Sequence, residues 1–412
     1  MGAPIPSYDL WNSVDKFREI LLREQRVKCV AKTFADQYIG GASSAAVSAD
    51  AQNSYGMQDR NKVLKKLETI IEDILSSLAH NESPVLSYES RRTWENVQFT
   101  EDLGLEMRDS SSRSEIRFDS FNSVNKFAMT LRVLAMCYKL VQSNTYSTKR
   151  DMYYNDTQLF GSQAVLDDIV DNIACMLQVP RWRLHVLATS KGCIAGDLQF
   201  TEVDGNHVDC STTASGVLVP AHVNGITNIQ SKAKFVLVVE KDATFQKLLD
   251  DGLCHKLAPC IIITGKGFPD VNTRLMVRKL WDTLQIPIFG LVDADPHGLD
   301  ILFVYKFGSR SLSYDSHNLT VPVIRWLGVL PSDIERLQVP RDVLIPLSKA
   351  DMDKANELMK RPYYNAMPHW MKEVQVMLHS GVKAEIQCLA AISSNYLTNV
   401  YIPSKLQYGG WI

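Results

Sequence analysis

The chain has 412 residues, 45% of them hydrophobic and 22% charged, a composition that fits a globular protein with room for two or three domains. Its formal net charge of −2 argues against a free-standing, avid polyanion binder, so any nucleic-acid contact has to be local or shared with partners. Eight cysteines without a CxxC pair disfavour zinc and disulfide frameworks, and no apolar run approaches the about 18 residues of a membrane span or forms a signal peptide, so an intracellular protein without membrane contact is expected.

Residues 1–60 are expected to form a flexible N-terminal region. Within it, Ser13 to Leu22 has the spacing of a short amphipathic helix, and Gly40 to Gly56 is small and polar, as linkers are. A clearer helix is expected from Lys62 to Leu78, in a unit spanning 61–80. Its apolar positions Val63, Leu67, Ile70, Ile71, Ile74, Leu75 and Leu78 recur at three- and four-residue spacing. A helix set apart by a linker must bury that stripe, either on the body of its own chain or on a partner's helix. Leu67, Ile70, Ile71 and Ile74 are the candidate partner-binding residues.

Residues 81–215 carry helical patterns at Phe121 to Val141 and Ser162 to Leu177, then a strand at Leu184 to Leu187 and a turn at Asp204-Gly205. Helix, turn, helix and turn-linked strands describe a winged-helix domain. Between the two helices lies Lys149-Arg150-Asp151-Met152-Tyr153-Tyr154. A free phenol is almost wholly protonated at neutral pH and attacks phosphorus only with a cation or base beside it. Arg150, four residues before Tyr154, shares its helical face and could clamp a phosphate. The alternative is a core aromatic with a half-exposed neighbour. Lys191, in a Ser-Lys-Gly turn, could neutralise a phosphate or could simply be solvated.

Residues 216–412 read as an α/β domain. Apolar runs at Lys234 to Glu240, Cys260 to Thr264 and Ile286 to Val292, separated by helical segments at Ala243 to Leu249 and Thr273 to Leu284, give a βαβαβ pattern and a parallel sheet. All carboxyl ends then reach one edge, where open α/β sheets place ligands, so Glu240, Asp293 and Asp295 can converge. An oxygen-rich site of this kind suits Mg²⁺. The bland alternative is that Asp293 to Gly298 is an Asx-type turn. Gly265-Lys266-Gly267 lacks the phosphate-loop spacing and reads as a turn whose Lys266 could face DNA. His297 could touch a phosphate or serve as a structural hydrogen-bonder. Beyond lie a strand from Val321 to Leu327, helices at Asp351 to Arg361 and Val382 to Tyr396, and a packed terminus at Tyr408 to Ile412.

A Glu at one strand end and an Asp-x-Asp at another about fifty residues later is similar to the toprim metal site of topoisomerases, primases and related nucleases. Ahead of it stands the basic-acidic-x-aromatic-Tyr string of Arg150 to Tyr154. With Ala188 to Gly192, Val238 to Phe245, Ile263 to Gly267, Leu291 to Gly298 and Ile324 to Gly328 in one order, the chain from Val63 to the final Gly-Gly-Trp-Ile resembles the A subunit of type VI (type IIB) topoisomerases. It resembles still more closely their eukaryotic relatives, the meiotic double-strand-break transesterases of animals. Residues 1–60 carry none of the resemblance.

The resemblance implies a winged-helix catalytic-tyrosine domain followed by a toprim domain. It makes Tyr154 the nucleophile, places Arg150 beside the phosphate, gives Tyr153 the family's aromatic position, and makes Glu240 and Asp293 metal carboxylates, with Asp295 completing the set around Mg²⁺. The implied reaction is cleavage of duplex DNA by transesterification, leaving a 5′-phosphotyrosyl link and initiating meiotic recombination in the nucleus. One tyrosine cuts one strand, so a homodimer is implied, with Tyr154 of one protomer facing the metal site of the other. A B-like transducer subunit of topoisomerase VI and meiotic accessory proteins are the implied partners. Two other readings stay open, a non-catalytic DNA-binding or scaffolding member and a toprim hydrolytic nuclease.

Overall fold

The computed structural model describes residues 11–39, 49–91, 93–109 and 111–412. Six strands make its central sheet, in the order Val217–Leu218, Cys193–Gly196, Ile261–Thr264, Val236–Val239, Ile288–Leu291 and Arg325–Gly328. The last four run parallel; Cys193–Gly196 is antiparallel to Ile261–Thr264, and Val217–Leu218 to it in turn. The three expected strands are buried at every position, as continuous aliphatic runs are when helices cover both faces of a sheet. Val239 lies level with Thr264 and Leu291, so Glu240 and the residues after Leu291 emerge at one edge. Helices Asp242–Asp250, Val271–Leu284 and Pro296–Phe307 follow the three strands, and the expected α/β class is observed.

A second core belongs to helices Val124–Ser143 and Gln163–Met176, with Leu134, Cys137, Val141, Leu166 and Val170 buried between them. An antiparallel pair, Val85–Glu89 with Arg113–Arg117, lies against them through Leu86, Tyr88, Ile116 and Phe127. The strands flanking Asp204-Gly205, expected to belong to the same domain, do not: Gln199–Thr201 and His207–Asp209 join Thr227–Gln230 in a separate sheet, and Leu198, Phe200 and Cys210 enter the α/β core. Together with the place of Cys193–Gly196 in the central sheet, this corrects the boundary expected at 215/216. The sheet's core recruits chain from before the first parallel strand.

The expected helix at Val382 to Tyr396 also needs correction. Val382 and Lys383 pair with Pro346 and Ile345, Ala384 bridges Ala294, and a 3₁₀ turn occupies Ile386–Ala391. The helix of this region is Pro368–Ser380, stopped at Gly381 with φ of 68°. Ile386 and Leu389 are buried, but Ala384 is held by sheet-like pairing with Ala294 of the Asp-x-Asp loop and the Ile386 N–H by the Asp293 carboxylate.

The N-terminal expectations change most. Asn12–Ile39 is one helix, with Val14, Phe17 and Leu21 buried in the α/β core, the Phe17 ring 5.5 Å from Trp411 and 6.1 Å from Phe289. Ser13 Oγ donates to the Gln407 carbonyl at 2.6 Å, and Arg18 Nε to that of Gln285 at 3.0 Å. The flexible region expected over 1–60 is therefore wrong for this stretch. Of the expected linker, residues 40–48 lie outside the described residues, while 49–56 open the helix Ala49–Ala79; small residues such as Ala favour helix as readily as they serve linkers. The expected packed terminus is observed: Ile412 exchanges backbone hydrogen bonds with Trp326.

The stripe of the Ala49–Ala79 helix divides. Val63, Leu67 and Ile74 are buried against the helical domain and Ile70 is half-buried, whereas Ile71, Leu75 and Leu78 are exposed. Leu67 and Ile74 are thus internal core and not a free docking face. Lys66 Nζ donates to the Leu177 carbonyl at 2.7 Å and Tyr138 Oη to Glu68 at 2.9 Å, fixing the helix to its own chain. Replacing Leu67 and Ile74 together by Glu removes burial worth about 3 kcal/mol or more. The melting temperature of the isolated protein is expected to fall by roughly 6–12 °C. Glu at Ile71 and Leu75 should move it by no more than about 2 °C, a contrast that differential scanning calorimetry reads directly.

Candidate active site

The six-residue helix Lys149–Tyr154 is built to hold one ring outward. Ser147–Thr148 runs parallel to Val186–Leu187 and delivers Thr148 as the N-cap. Thr148 Oγ1 accepts from the Asp151 N–H at 3.1 Å, and Asp151 Oδ2 accepts from the Thr148 N–H at 3.2 Å, a reciprocal capping box. Met152 is buried in the helical core, and half-buried Lys149 is tied to Asp171 at 2.9 Å. Burial holds Lys149 below the usual lysine range despite Asp171. Tyr153 packs partly into the core and donates to the Gly161 carbonyl at 3.4 Å. Tyr154, in contrast, is 66% exposed, its ring 5.8 Å from that of Tyr153, and Arg150 is exposed on the same short helix.

The carboxylates lie in the opposite environment, Glu240 being 7% and Asp293 2% exposed. Glu240 Oε2 accepts from the Asp293 N–H at 2.8 Å, locking one strand end to the other. Asp293 Oδ1 accepts from the Ile386 N–H at 2.9 Å, and its Oδ2 lies 2.7 Å from Lys241 Nζ, which also reaches Glu385 Oε1 at 2.9 Å. Burial, and then the charge of Asp293, push Glu240 up to about 7. Burial likewise raises Asp293, with Lys241 pulling the other way. Asp295 behaves as the turn reading anticipates: its Oδ1 caps helix Pro296–Phe307 by accepting from the Gly298 N–H at 2.6 Å.

The weaker candidates fall around this edge. The Gly265–Gly267 turn is tied to Glu240, whose carbonyl accepts from the Gly267 N–H at 2.8 Å. Lys266 pairs with Asp242 at 3.2 Å, and Lys191 Nζ donates to the Lys266 carbonyl at 3.3 Å, so both lysines flank the carboxylates. His297 is exposed, 3.9 Å from Asp351, which Lys383 already holds at 2.9 Å. No hydrogen bond, ion pair or ring contact among the described residues joins Tyr154 or Arg150 to Glu240, Asp293 or Asp295. Within one chain the tyrosine helix and the carboxylate edge thus make no such contact with each other. Lys241 and Glu385 escape the sequence reading. Lys241 could have been found as the cation following Glu240, whereas Glu385, in a stretch read as helix, gave no signal.

Whether the donors suit a divalent cation can be judged from the cation already there. Asp293 accepts an ammonium at 2.7 Å, and two buried carboxylates side by side need a positive charge. Among the described residues no group of three or more His, Cys, Asp or Glu is arranged to hold a metal ion, since Asp295 is turned to its cap and Glu240 to a backbone N–H. A hard divalent cation needs only one or two carboxylates, with water elsewhere. Glu240 and Asp293 fit that requirement.

Fold and site are those of a toprim-containing enzyme with a separate tyrosine-bearing helical domain. The family model "Type IIB DNA topoisomerase" matches residues 125–186, and the model of the toprim domain shared by the topoisomerase 6 A subunit and Spo11 matches 235–406. The chain is 55% identical to the meiotic recombination protein SPO11 of Homo sapiens, covering 100% of this chain and 99% of the human one, and 50% identical to that of Mus musculus with the same coverage. To the A subunit of DNA topoisomerase 6 from Arabidopsis thaliana it is 37% identical over 85% of this chain and 81% of the plant one. The chain belongs to the family of Spo11 and the topoisomerase 6 A subunit, whose toprim domain is a metal-binding one.

Two measurements test the electrostatics. A folded-state value for Glu240 above the usual 4.5 means that its ionised form destabilises the fold, fully above about pH 7 and not at all below about pH 4.5. Glu240→Gln keeps an acceptor for the Asp293 N–H. In chelator at pH 8 it should be more stable to denaturant than the parent, by on the order of 3 kcal/mol, and the gain should vanish near pH 4.5. Gly298 is the second probe, because a Cβ there would stand 2.7 Å from the Asp293 carbonyl and 2.9 Å from Glu240 Oε2. Gly298→Ala should weaken divalent-cation binding, measured by calorimetry, at least tenfold.

Proposed function

We propose that this protein makes the DNA double-strand breaks that initiate meiotic recombination, with Tyr154 as its nucleophile. It is a DNA-cleaving, topoisomerase-like transesterase by family. The observation that carries the residue assignment is the exposure of Tyr154 on a helix whose every other anchor is buried or capped. The Tyr154 phenol oxygen forms a bond to a backbone phosphorus of duplex DNA, the bond to the 3′ oxygen breaks, and that oxygen takes up a proton. The new 5′ end stays on the protein, and no water is consumed. Arg150, on the same helix, clamps the phosphate by charge-assisted hydrogen bonds and stabilises the phenolate as its proton leaves.

Glu240 and Asp293, with Asp295 able to leave its cap, would hold Mg²⁺, whose chemistry when bound is to neutralise charge on the phosphate and the leaving oxygen. Lys191 and Lys266 line the approach to these carboxylates and receive the neighbouring phosphates, with His297 further out. Because Tyr154 and the carboxylates do not meet within one chain, the active form is a homodimer in which the tyrosine of one protomer works at the partner's carboxylates. Two such sites cut the two strands. A B-type transducer subunit docks on the exposed remainder of the Ala49–Ala79 stripe, Ile71, Leu75 and Leu78, meiotic accessory proteins complete the assembly, and the site of action is the nucleus.

Tyr154→Phe should abolish the covalent protein–DNA adduct while leaving the melting temperature and DNA binding unchanged, since only an exposed oxygen is lost. Tyr153→Phe should keep most of the adduct. Peptide sequencing of trapped adduct decides the register, and DNA found on Tyr153 would overturn the assignment.

A further inference from the structure

Lys241 follows Glu240 directly, where strand Val236–Val239 gives way to helix Asp242–Asp250. Its ammonium is the only ion-pair partner of Asp293 among the described residues, at 2.7 Å from Oδ2, and it lies 2.9 Å from Glu385 Oε1. The other Asp293 oxygen is held by the Ile386 N–H at 2.9 Å. A carboxylate oxygen that receives an ammonium at this distance cannot at the same time coordinate a metal ion unhindered, and two cations so close repel. The position a divalent cation would take is filled by a cation belonging to the chain.

We propose that Lys241 is a tethered counterion that occupies the cation position of the acidic site, and that it must move from Asp293 onto Glu385 before a divalent metal can bind. The proposal rests on the reading of Glu240 and Asp293 as metal carboxylates. Lys241 is only partly buried, so its long stem is free to swing. Glu385 is exposed, more so than Lys241 itself. It is adjacent to Ile386, whose N–H holds Asp293, and next to Ala384, which exchanges backbone hydrogen bonds with Ala294 at 2.8 and 3.2 Å. The resting place of the displaced lysine is therefore fixed to the same frame as the metal carboxylates. Metal uptake becomes an exchange of one cation for another, with Lys241 lowering affinity and Glu385 restoring part of it.

This predicts opposite signs for two neighbouring charges, which a merely structural pair would not give. Mn²⁺ is titrated into the full chain without DNA, and free Mn²⁺ is read by electron paramagnetic resonance, with melting in chelator to confirm folding. Lys241→Met and Lys241→Gln should bind about tenfold tighter than the parent. Glu385→Gln should bind several-fold weaker, because the lysine then has nowhere else to go. The double variant Lys241→Met with Glu385→Gln should match Lys241→Met alone, since Glu385 acts only through the lysine. Parental or weaker affinity in both Lys241 variants overturns the proposal. So does a double variant weaker than Lys241→Met, which would make Glu385 a ligand. If Glu240→Gln and the parent bind Mn²⁺ indistinguishably, the metal reading itself falls and takes this one with it.

Discussion

Two carboxylates forced together out of water set the terms for everything near the sheet edge. Glu240 and Asp293 sit at the ends of adjacent parallel strands, and like charges so placed repel unless each is hydrogen-bonded or neutralised. The surrounding chain supplies those partners one at a time: the Asp293 N–H for Glu240, the Ile386 N–H and Lys241 for Asp293. This demand explains why the segment after Gly381 is not helical. Its N–H groups are wanted by Asp293 and Ala294, and a helix would have turned them inward on itself. The glycine at 298 answers the same crowding, leaving the space a methyl group would take from Glu240.

The proposed nucleophile is held by the reverse logic. Tyr154 needs freedom to meet a substrate, so its helix is immobilised from behind, by the Thr148–Asp151 capping box, by Met152 in the core and by Lys149 on Asp171. A carboxylate pair gains from desolvation, which strengthens its hold on a cation, while a phenol that must reach a phosphate gains from exposure. Placing the two on separate cores lets each have its own solvent environment. It also fits the proposed division of labour, in which the tyrosine of one protomer works at the carboxylates of another.

Much of this was written plainly in the residues. Runs such as Phe235 to Val239 and Cys260 to Ile263 are apolar without interruption, and a strand buried on both faces asks for that. Glu240 and Asp293 stand where those runs stop, so the edge they share was legible without a structure. The errors have a common cause, which is that periodicity describes a segment and not what the segment will touch. The stripe of Ala49–Ala79 was correctly helical, yet which part of it faced inward depended on the position of Val133 and Leu134. Residues 382–396 carried apolar spacing fit for a helix, but the pull on their backbone came from Asp293, about ninety residues earlier in the chain. Lys241 and Glu385 meet only because a strand end and a late loop converge, and no local pattern announces such a meeting.

The packing of the first helix has a consequence for how the protein is made. Phe17 rests on Trp411 and Phe289, and Ser13 bonds to Gln407, 394 residues further on. On the ribosome, at about 5–20 residues per second, that seat is completed roughly 20–80 s after the helix emerges. Until the last of these partners is made, the native cover of Val14, Phe17 and Leu21 is incomplete. A chain that stalled before Gln407 would keep part of that apolar face uncovered, so the two ends of the sequence have to be present before the first helix is fully seated.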